Sequence, residues 1–381
     1  LRVAPALLVA ALGVTQILGW GSGYFLPGVL GGQIEAALGL PPGAAFSGIA
    51  LQLGLAGLLA PATGRFIDRR GARIAMACGS VLFAAGLALL AVAQGAAGAL
   101  LACLVLGAAG ALALTEAANA ALATLGREGA RRRLGTMSLI SGLASAVAWP
   151  AFAAMEAAYG WRGAVLAAAA LHLAVALPIH LLVLPGGSAG IRAARPPRVA
   201  LPPRLRWLSA AFTLQTLVGS ALLANMVGLV TALGLAGAAA ISWASLVGPS
   251  QVAARFLDVV GGARFSALRV ASFAMALMPA VLLLPLLAPG PVLVPVFVIA
   301  YGMASGIMSV MRPACLIELH GTEGYASVAG RVMAPVTFAM ALGPAIFAPV
   351  LAQAGSVPAL GGAAVLLLVA WVLLRRAARP L

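Results

Sequence analysis

The chain is a succession of apolar runs, each long enough to cross a bilayer, separated by short polar or Gly/Pro-rich punctuation. Hydrocarbon about 30 Å thick needs roughly 20 helical residues. Within it every backbone N–H and C=O must be bonded inside the segment or around a closed barrel. These runs are rich in Ala, Leu and Gly and do not alternate with period two, which argues against strands. Twelve spans are expected, at roughly 5–30, 44–63, 72–94, 98–124, 135–157, 163–184, 207–232, 238–259, 268–288, 292–316, 331–353 and 358–375. The expected class is therefore an all-α membrane protein. With 63% apolar and 8% charged residues and a mean hydropathy of +1.10, a soluble globular domain is excluded. The first run is too long for a signal-peptide core and is interrupted by Gln16, Trp20 and Tyr24, so it reads as a retained helix.

A formal charge of +15 would point to nucleic acid in a soluble protein, but here its placement has another meaning. All 23 basic residues are arginine. Arg65, Arg69, Arg70 and Arg73, then Arg127, Arg131, Arg132 and Arg133, fall in connections on one side of the membrane. Arg192, Arg195, Arg198, Arg204 and Arg206 in the central segment and Arg375, Arg376 and Arg379 in the tail join them, while the other side offers Arg162. Such a bias places both termini in the cytoplasm. It also removes nucleic acid as a partner and leaves the lipid bilayer, with some attraction to anionic headgroups. Cys78, Cys103 and Cys315 lack ligand spacing, so neither a disulfide framework nor a metal site is expected. No phosphate-binding GxxxxGK[ST] loop is present, so nothing points to an ATP-driven pump, and no cofactor is expected.

The polar, Pro/Gly/Arg-rich stretch around residues 185–206 divides six spans from six, giving bundles at 1–184 and 207–381 joined by a cytoplasmic linker. Sequence echoes suggest that the halves are copies. GRFIDRRGAR at 64–73 is answered by ARFLDVVGGAR at 254–264, ALGL at 37–40 by ALGL at 232–235, and LGREG at 125–129 by HGTEG at 320–324. An even number of spans separates the copies, so both have the same orientation. The acids of the first echo, Asp68 and Asp258, can accept bonds from N-terminal amides of a neighbouring helix. Arg69, Arg73, Arg255 and Arg264 can pair with carboxylates or helix-end carbonyls, and Gly71 and Gly261 allow tight turns. Together these residues would make a breakable polar latch at the membrane surface.

GRFIDRRGAR resembles the loop signature of the major facilitator superfamily, G-x-x-x-D-R-x-G-R-R/K, through Gly64, Asp68, Arg69, Gly71 and Arg73. The twelve-span, six-plus-six layout extends the resemblance over the whole chain. It implies two parallel-oriented six-helix bundles working by alternating access, with Gly64, Asp68, Arg69, Gly71, Arg73, Arg255 and Asp258 in gating. Departures are visible: the run at 103–110 has no arginine, and SAVAWPAFAA at 145–154 has Trp149 where the family's fifth-span signature has glycine.

The resemblance also implies that spans 1, 4, 7 and 10 line the solute path, and these carry most of the polar residues outside the loops. Gln16, Trp20 and Tyr24 recur every four residues, as do Tyr301, Ser305, Met308 and Arg312 at 4-3-4 spacing, so each set shares one helix face. Glu116 and Asn119 lie in span 4, and Gln215, Thr216 and Asn225 in span 7. Several of these could instead be helix–helix glue. Glu116 falls one position from the repeat equivalent of Arg312, and each lies roughly 13 Å from its loop. A charge at that depth costs about 2.5–3.5 kcal/mol on insertion scales, so it should face a cavity or a partner.

Arg312 is then the expected site for an anionic solute and Glu116 the expected proton-coupling acid. Gln16, Trp20, Tyr24, Asn119, Gln215, Asn225, Tyr301 and Ser305 are the other expected substrate contacts. His172 and His180 in span 6 have no acid nearby in sequence and read as structural. The function expected is proton-coupled secondary transport of a small organic solute, possibly carboxylate-bearing, by a monomer in a bacterial inner membrane. Efflux of drug-like or toxic compounds is the alternative. A membrane enzyme is not expected, because the 8 acids are scattered in depth.

Overall fold

A computed structural model describes residues 4–185, 200–235, 237–261, 264–287 and 291–379. The central arginines Arg192, Arg195 and Arg198 lie outside these residues. All regular structure among the described residues is helical. Ten helical stretches among the described residues are long and apolar enough to cross a membrane. One of them, Ala130–Leu182, is two passes, because Gly160 at φ 68°, ψ 172° breaks the ladder in a conformation that favours glycine. One further pass is split into Gly237–Ser245 and Val247–Gly261, each too short to count alone. Twelve passes result, as the apolar runs suggested.

In the first half α1 is Pro5–Trp20, continued through a π turn, Gly21–Phe25, into Pro27–Leu38. It is thus longer than the expected 5–30, because the run continues through Gly31 and Gly32 to a glycine stop at Gly39. Then come α2 (Ala44–Arg70), α3 (Ala72–Val92) and α4 (Ala96–Ala113, resuming as Thr115–Ala123). Next, α5 is Ala130–Ser141 with residues 144–159, and α6 is residues 161–171 with a second π turn, His172–Ala176, and Leu177–Leu182. In the second half α7 is Pro203–Ala232, α8 the split pass above, α9 Ala267–Leu283, α10 Val294–His320, α11 Tyr325–Ala354 and α12 Ser356–Ala378.

The chain divides into two compact units, Leu1–Val199 with Thr322–Ala334, and Ala200–Gly321 with Pro335–Leu381. The start of α11, which belongs to the second half by sequence, therefore clusters with the first unit. In the first unit α3 packs on α4 and α6, and α2 packs on α4; in the second, α9 packs on α10 and α12, and α8 packs on α10. The same pairing thus recurs six helices later. Large apolar side chains such as Leu58, Leu182 and Phe273 remain exposed, as lipid-facing residues do.

The duplication also has an atomic signature. A Cβ on Gly107 of α4 would lie 2.9 Å from the backbone oxygen of Gln52 on α2. Gly302, 195 residues after Gly107, would meet the backbone oxygen of Val247, 195 residues after Gln52, at the same 2.9 Å. Small residues set these backbone-to-backbone crossings. Gly306, one turn on, extends the second crossing: its Cβ would lie 2.5 Å from the Gln251 oxygen. Gly306→Ala should therefore cost about 1–3 kcal/mol by overpacking and lower the unfolding temperature. Gly361→Ala in α12, where nothing lies within 4 Å, should be neutral or stabilising. Equal thermal unfolding of the two variants would contradict this crossing.

Candidate functional site

The α1 stripe meets an interruption in α4. At Leu114 the backbone turns to φ −82°, ψ −163°, and the amides of Ala117 and Ala118 bond to Leu114 O. The carbonyl of Ala113 thereby loses its helical donor, and in hydrocarbon such a group needs another. Gln16, fully buried, supplies it: Nε2 donates to Ala113 O at 2.8 Å. One turn on, Trp20 Nε1 donates to Thr115 Oγ1 at 3.1 Å, and Tyr24 meets Trp20 edge to face with centroids 5.7 Å apart. Trp20 and Tyr24 line a small cavity with Gln52, Leu53, Phe83 and Leu114.

Glu116 is half-buried in the first turn of the resumed helix, where the dipole favours a carboxylate, and it interacts electrostatically with Tyr325. Asn119 is buried, and its Nδ2 has no partner among the described residues. The break itself is absent from the expected spans. Its signal was Thr115–Glu116, a helix-start pair inside an Ala/Leu run.

At the end of α2, Asp68 accepts from two first-turn amides of α11, Ala326 N at 3.2 Å to Oδ1 and Ser327 N at 2.7 Å to Oδ2. Glycine makes this approach possible. A Cβ on Gly64 would lie 2.1 Å from Ala326 O, and one on Gly330 would lie 2.2 Å from Ala60 O. Gly71 follows at φ 86°, turning the chain directly from α2 into α3. Arg69 is exposed and Arg73 half-buried, and neither makes a side-chain hydrogen bond among the described residues.

The second unit holds a separate polar network between α7, α8 and α10. Arg312 Nη1 donates to Thr216 Oγ1 at 3.1 Å, and Tyr301 OH donates to Gly219 O at 2.7 Å. Pro313 leaves α10 continuous from Val294 to His320. Arg255 does not sit at the loop. It lies inside α8 and donates Nε to Ser309 Oγ at 3.0 Å and Nη2 to Gln251 Oε1 at 3.3 Å. Gln251 Nε2 donates in turn to Ser305 Oγ at 3.1 Å. Gln215 is buried beside Gly219, with Oε1 lacking a partner among the described residues. Asn225 Nδ2 is bonded back to Ala221 O at 2.8 Å on its own helix. Glu116 and Arg312 thus belong to different units.

The histidines of α6, read from the sequence as structural, have hydroxyl partners on other helices. Ser22, in the π turn of α1, lies 2.8 Å from His172 Nε2 at the start of the π turn of α6. Ser80 of α3 lies 2.8 Å from His180 Nδ1. Each serine hydroxyl already donates its one proton along its own helix, Ser22 to Leu18 O at 2.8 Å and Ser80 to Met76 O at 3.2 Å. Toward the imidazoles both must accept, which makes His172 the Nε2–H tautomer and His180 the Nδ1–H tautomer. The remaining nitrogens, His172 Nδ1 and His180 Nε2, are buried without a partner among the described residues. A bare lone pair there is less costly than an orphaned N–H. Phe83 stacks on His172 at 4.6 Å and carries this arrangement to the wall of the Trp20–Tyr24 cavity.

Comparison with known proteins adds the family. The Major Facilitator Superfamily model matches residues 9–348. No curated protein sequence matches the chain. Among solved structures, the human organic anion transporter MFSD10 (TETRAN) is similar at a TM-score of 0.78 and 18% identity, covering 97% of this chain and 99% of that one. The E. coli fucose:proton symporter FucP is similar at 0.74 and 18% identity, covering 99% and 100%. The proton:xylose symporter XylE, bound to 6-bromo-6-deoxy-D-glucose, is similar at 0.75 and 12% identity, covering 98% and 96%. At these identities the likeness establishes the fold.

The tautomer assignment is directly measurable, because the chain has 3 histidines. In ¹⁵N-histidine NMR of the full-length protein in lipid nanodiscs at pH 8, His172 should show a protonated Nε2 and His180 a protonated Nδ1. His172→Gln and His180→Asn, which keep the donor to each serine, assign the signals. The same tautomer at both sites would contradict the serine-set geometry.

Proposed function

The chain belongs to the Major Facilitator Superfamily, and on that premise we propose that it carries a small, carboxylate-bearing organic solute across a bacterial inner membrane in exchange with, or together with, protons. It is a multi-pass, non-enzymatic membrane transporter of the secondary class that moves a small molecule. The finer reading is carried by Arg312. A guanidinium inside a membrane-spanning helix is costly unless it serves a partner or a path, and its planar fork matches a carboxylate. Gln215, Thr216, Tyr301 and Ser305 belong to the same α7–α8–α10 neighbourhood and would orient the solute. Within the first unit, Gln16, Trp20, Tyr24 and Asn119 are the proposed solute contacts.

Glu116 is the proposed proton carrier. It is a half-buried acid at a helix start next to a break in α4, so its surroundings can change when the helix shifts. Asp68, with its two bonds to the α11 amides, is the proposed gate, together with Gly64, Arg69, Gly71 and Arg73; Asp258 would act in the repeated position. FucP and XylE are described as proton symporters and MFSD10 as an organic anion transporter, and both descriptions support this reading. The aromatic cavity of Trp20, Tyr24 and Phe83 favours a second reading, efflux of a drug-like apolar compound. The two separate on Arg312, which efflux of a neutral aromatic would not need. A monomer is the proposed working unit, with both termini in the cytoplasm.

Arg312→Lys should abolish carboxylate transport in proteoliposomes while leaving membrane insertion and the unfolding temperature near wild type. Full transport by this variant would remove the anion-site reading. Glu116→Gln should leave solute exchange intact but make it indifferent to an imposed pH gradient. Unchanged gradient-driven accumulation would eliminate Glu116 as the proton carrier.

A further inference from the structure

Where α7 begins and α12 finishes, the second unit carries arginines that the transport reading does not use. Arg204 of α7 donates Nε to Ala377 O of α12 at 3.0 Å, and the guanidinium of Arg376 on α12 lies over the ring of Trp207 on α7, 5.5 Å from its centre. These cross-contacts are three residues apart on α7 and adjacent on α12, so both guanidiniums are held at one seam within a helical turn. Arg375 lies 5.9 Å from the ring centre of Trp371, and that ring is fixed by a bond from Nε1 to Ser272 Oγ of α9 at 3.2 Å. Arg206 and Arg379 are exposed at the same helix ends.

The sequence supplies no acid between Glu156 and Asp258 and none after Glu323. None of these five arginines pairs with a carboxylate among the described residues. Helix dipoles do not supply the missing charge: the end of α12 contributes roughly half a negative charge and the start of α7 roughly half a positive one, and the two offset each other. Stacking occupies the flat face of Arg376 and leaves its N–H edge open. Arg204 uses Nε and keeps its Nη groups. Two such edges on neighbouring helices fit the oxygens of one phosphate.

The surface leading to Arg376 shows what would carry that phosphate. Val365, Leu368, Val369 and Val372 are exposed and share a face of α12 with Arg376. From Val365 to Arg376 is about 16 Å along the axis, close to half of a hydrocarbon layer about 30 Å thick. Apolar surface over the depth of one leaflet, ending in guanidinium, is the order of a phospholipid: acyl chain, then phosphate. Trp207, 38% exposed, adds an amphipathic ring at headgroup level. We propose that the α7–α12 seam binds one anionic phospholipid, its phosphate between Arg204 and Arg376 and an acyl chain along the α12 strip. Arginines that merely snorkel to a membrane surface are ordered by the lipid. These two are fixed by the protein beforehand, which lowers the ordering cost of binding.

The test is thermal unfolding of the purified full-length protein in detergent, titrated with phosphatidylglycerol, phosphatidylcholine or inorganic phosphate at constant ionic strength. Phosphatidylglycerol should raise the unfolding temperature at about tenfold lower concentration than phosphatidylcholine, and inorganic phosphate over the same range should leave it unchanged. Arg204→Gln combined with Arg376→Gln should raise the half-saturating phosphatidylglycerol concentration about 25-fold, from about fivefold for each arginine at an anionic surface. Arg65→Gln combined with Arg132→Gln, which removes the same charge from exposed positions in the first unit, should leave it near the wild-type value. Equal shifts in the two double variants would reduce the effect to general attraction between a basic protein and anionic lipid, and would overturn the site. Equal stabilisation of the wild-type protein by the two lipids would also overturn it, and that comparison decides even if a variant does not fold. Inorganic phosphate acting as well as phosphatidylglycerol would assign the seam to a free anion and overturn the lipid occupant.

Discussion

Every peptide group inside hydrocarbon must find a hydrogen-bond partner within protein, and this protein is organised around the few places where its own helices fail to provide one. Most of each pass is an unbroken α-helix that needs nothing from its neighbours. The exceptions include the break at Leu114, the π turns Gly21–Phe25 and His172–Ala176, the interruptions of α5 after Ser141 and of α8 after Ser245, and the helix start of α11. Side chains from other helices serve several of them: Gln16 bonds the carbonyl freed at the break, His172 joins the two π turns through Ser22, and Asp68 takes two amides of α11. Polar side chains in the first unit therefore concentrate where the backbone is irregular. Irregular backbone is also the part that can rearrange at least cost, because exchanging one partner for another leaves no group bare.

The halves share a scaffold and differ in chemistry. The crossing of α2 with α4 at Gly107 returns as the crossing of α8 with α10 at Gly302, at the same repeat offset. On that common frame the first half carries a broken helix, an aromatic cavity and two serine-bound histidines. The second half carries an unbroken α10 with Arg312 facing α7 and Arg255 reaching across from α8. The contacts the halves share are backbone contacts, where any side chain would clash, and their differences lie at other positions.

Much of the fold was legible because membrane helices obey a length rule. The apolar runs gave twelve passes, and Gly71 marked the tight turn between α2 and α3. The interior was less legible, for physical reasons. The break at Leu114 falls within a continuous Ala/Leu run, where hydropathy is blind to backbone direction and Thr115–Glu116 was the only cue. The π turns leave no pattern at all in composition. The serine hydroxyls that hold His172 and His180 come from other helices and so leave no trace in the local sequence. Arg255 was read from its loop-like echo of GRFIDRRGAR, yet it lies a full turn and more inside α8, where tertiary packing against α10 decides its role.

The reading of this chain as a proton-driven carrier is tested most directly by solute flux into proteoliposomes containing the wild-type protein. With a radiolabelled carboxylate-bearing solute outside and a pH gradient imposed, the solute should accumulate above its external concentration, and a protonophore should collapse that accumulation. Equilibration at the same rate and to the same level with and without the gradient would contradict proton coupling.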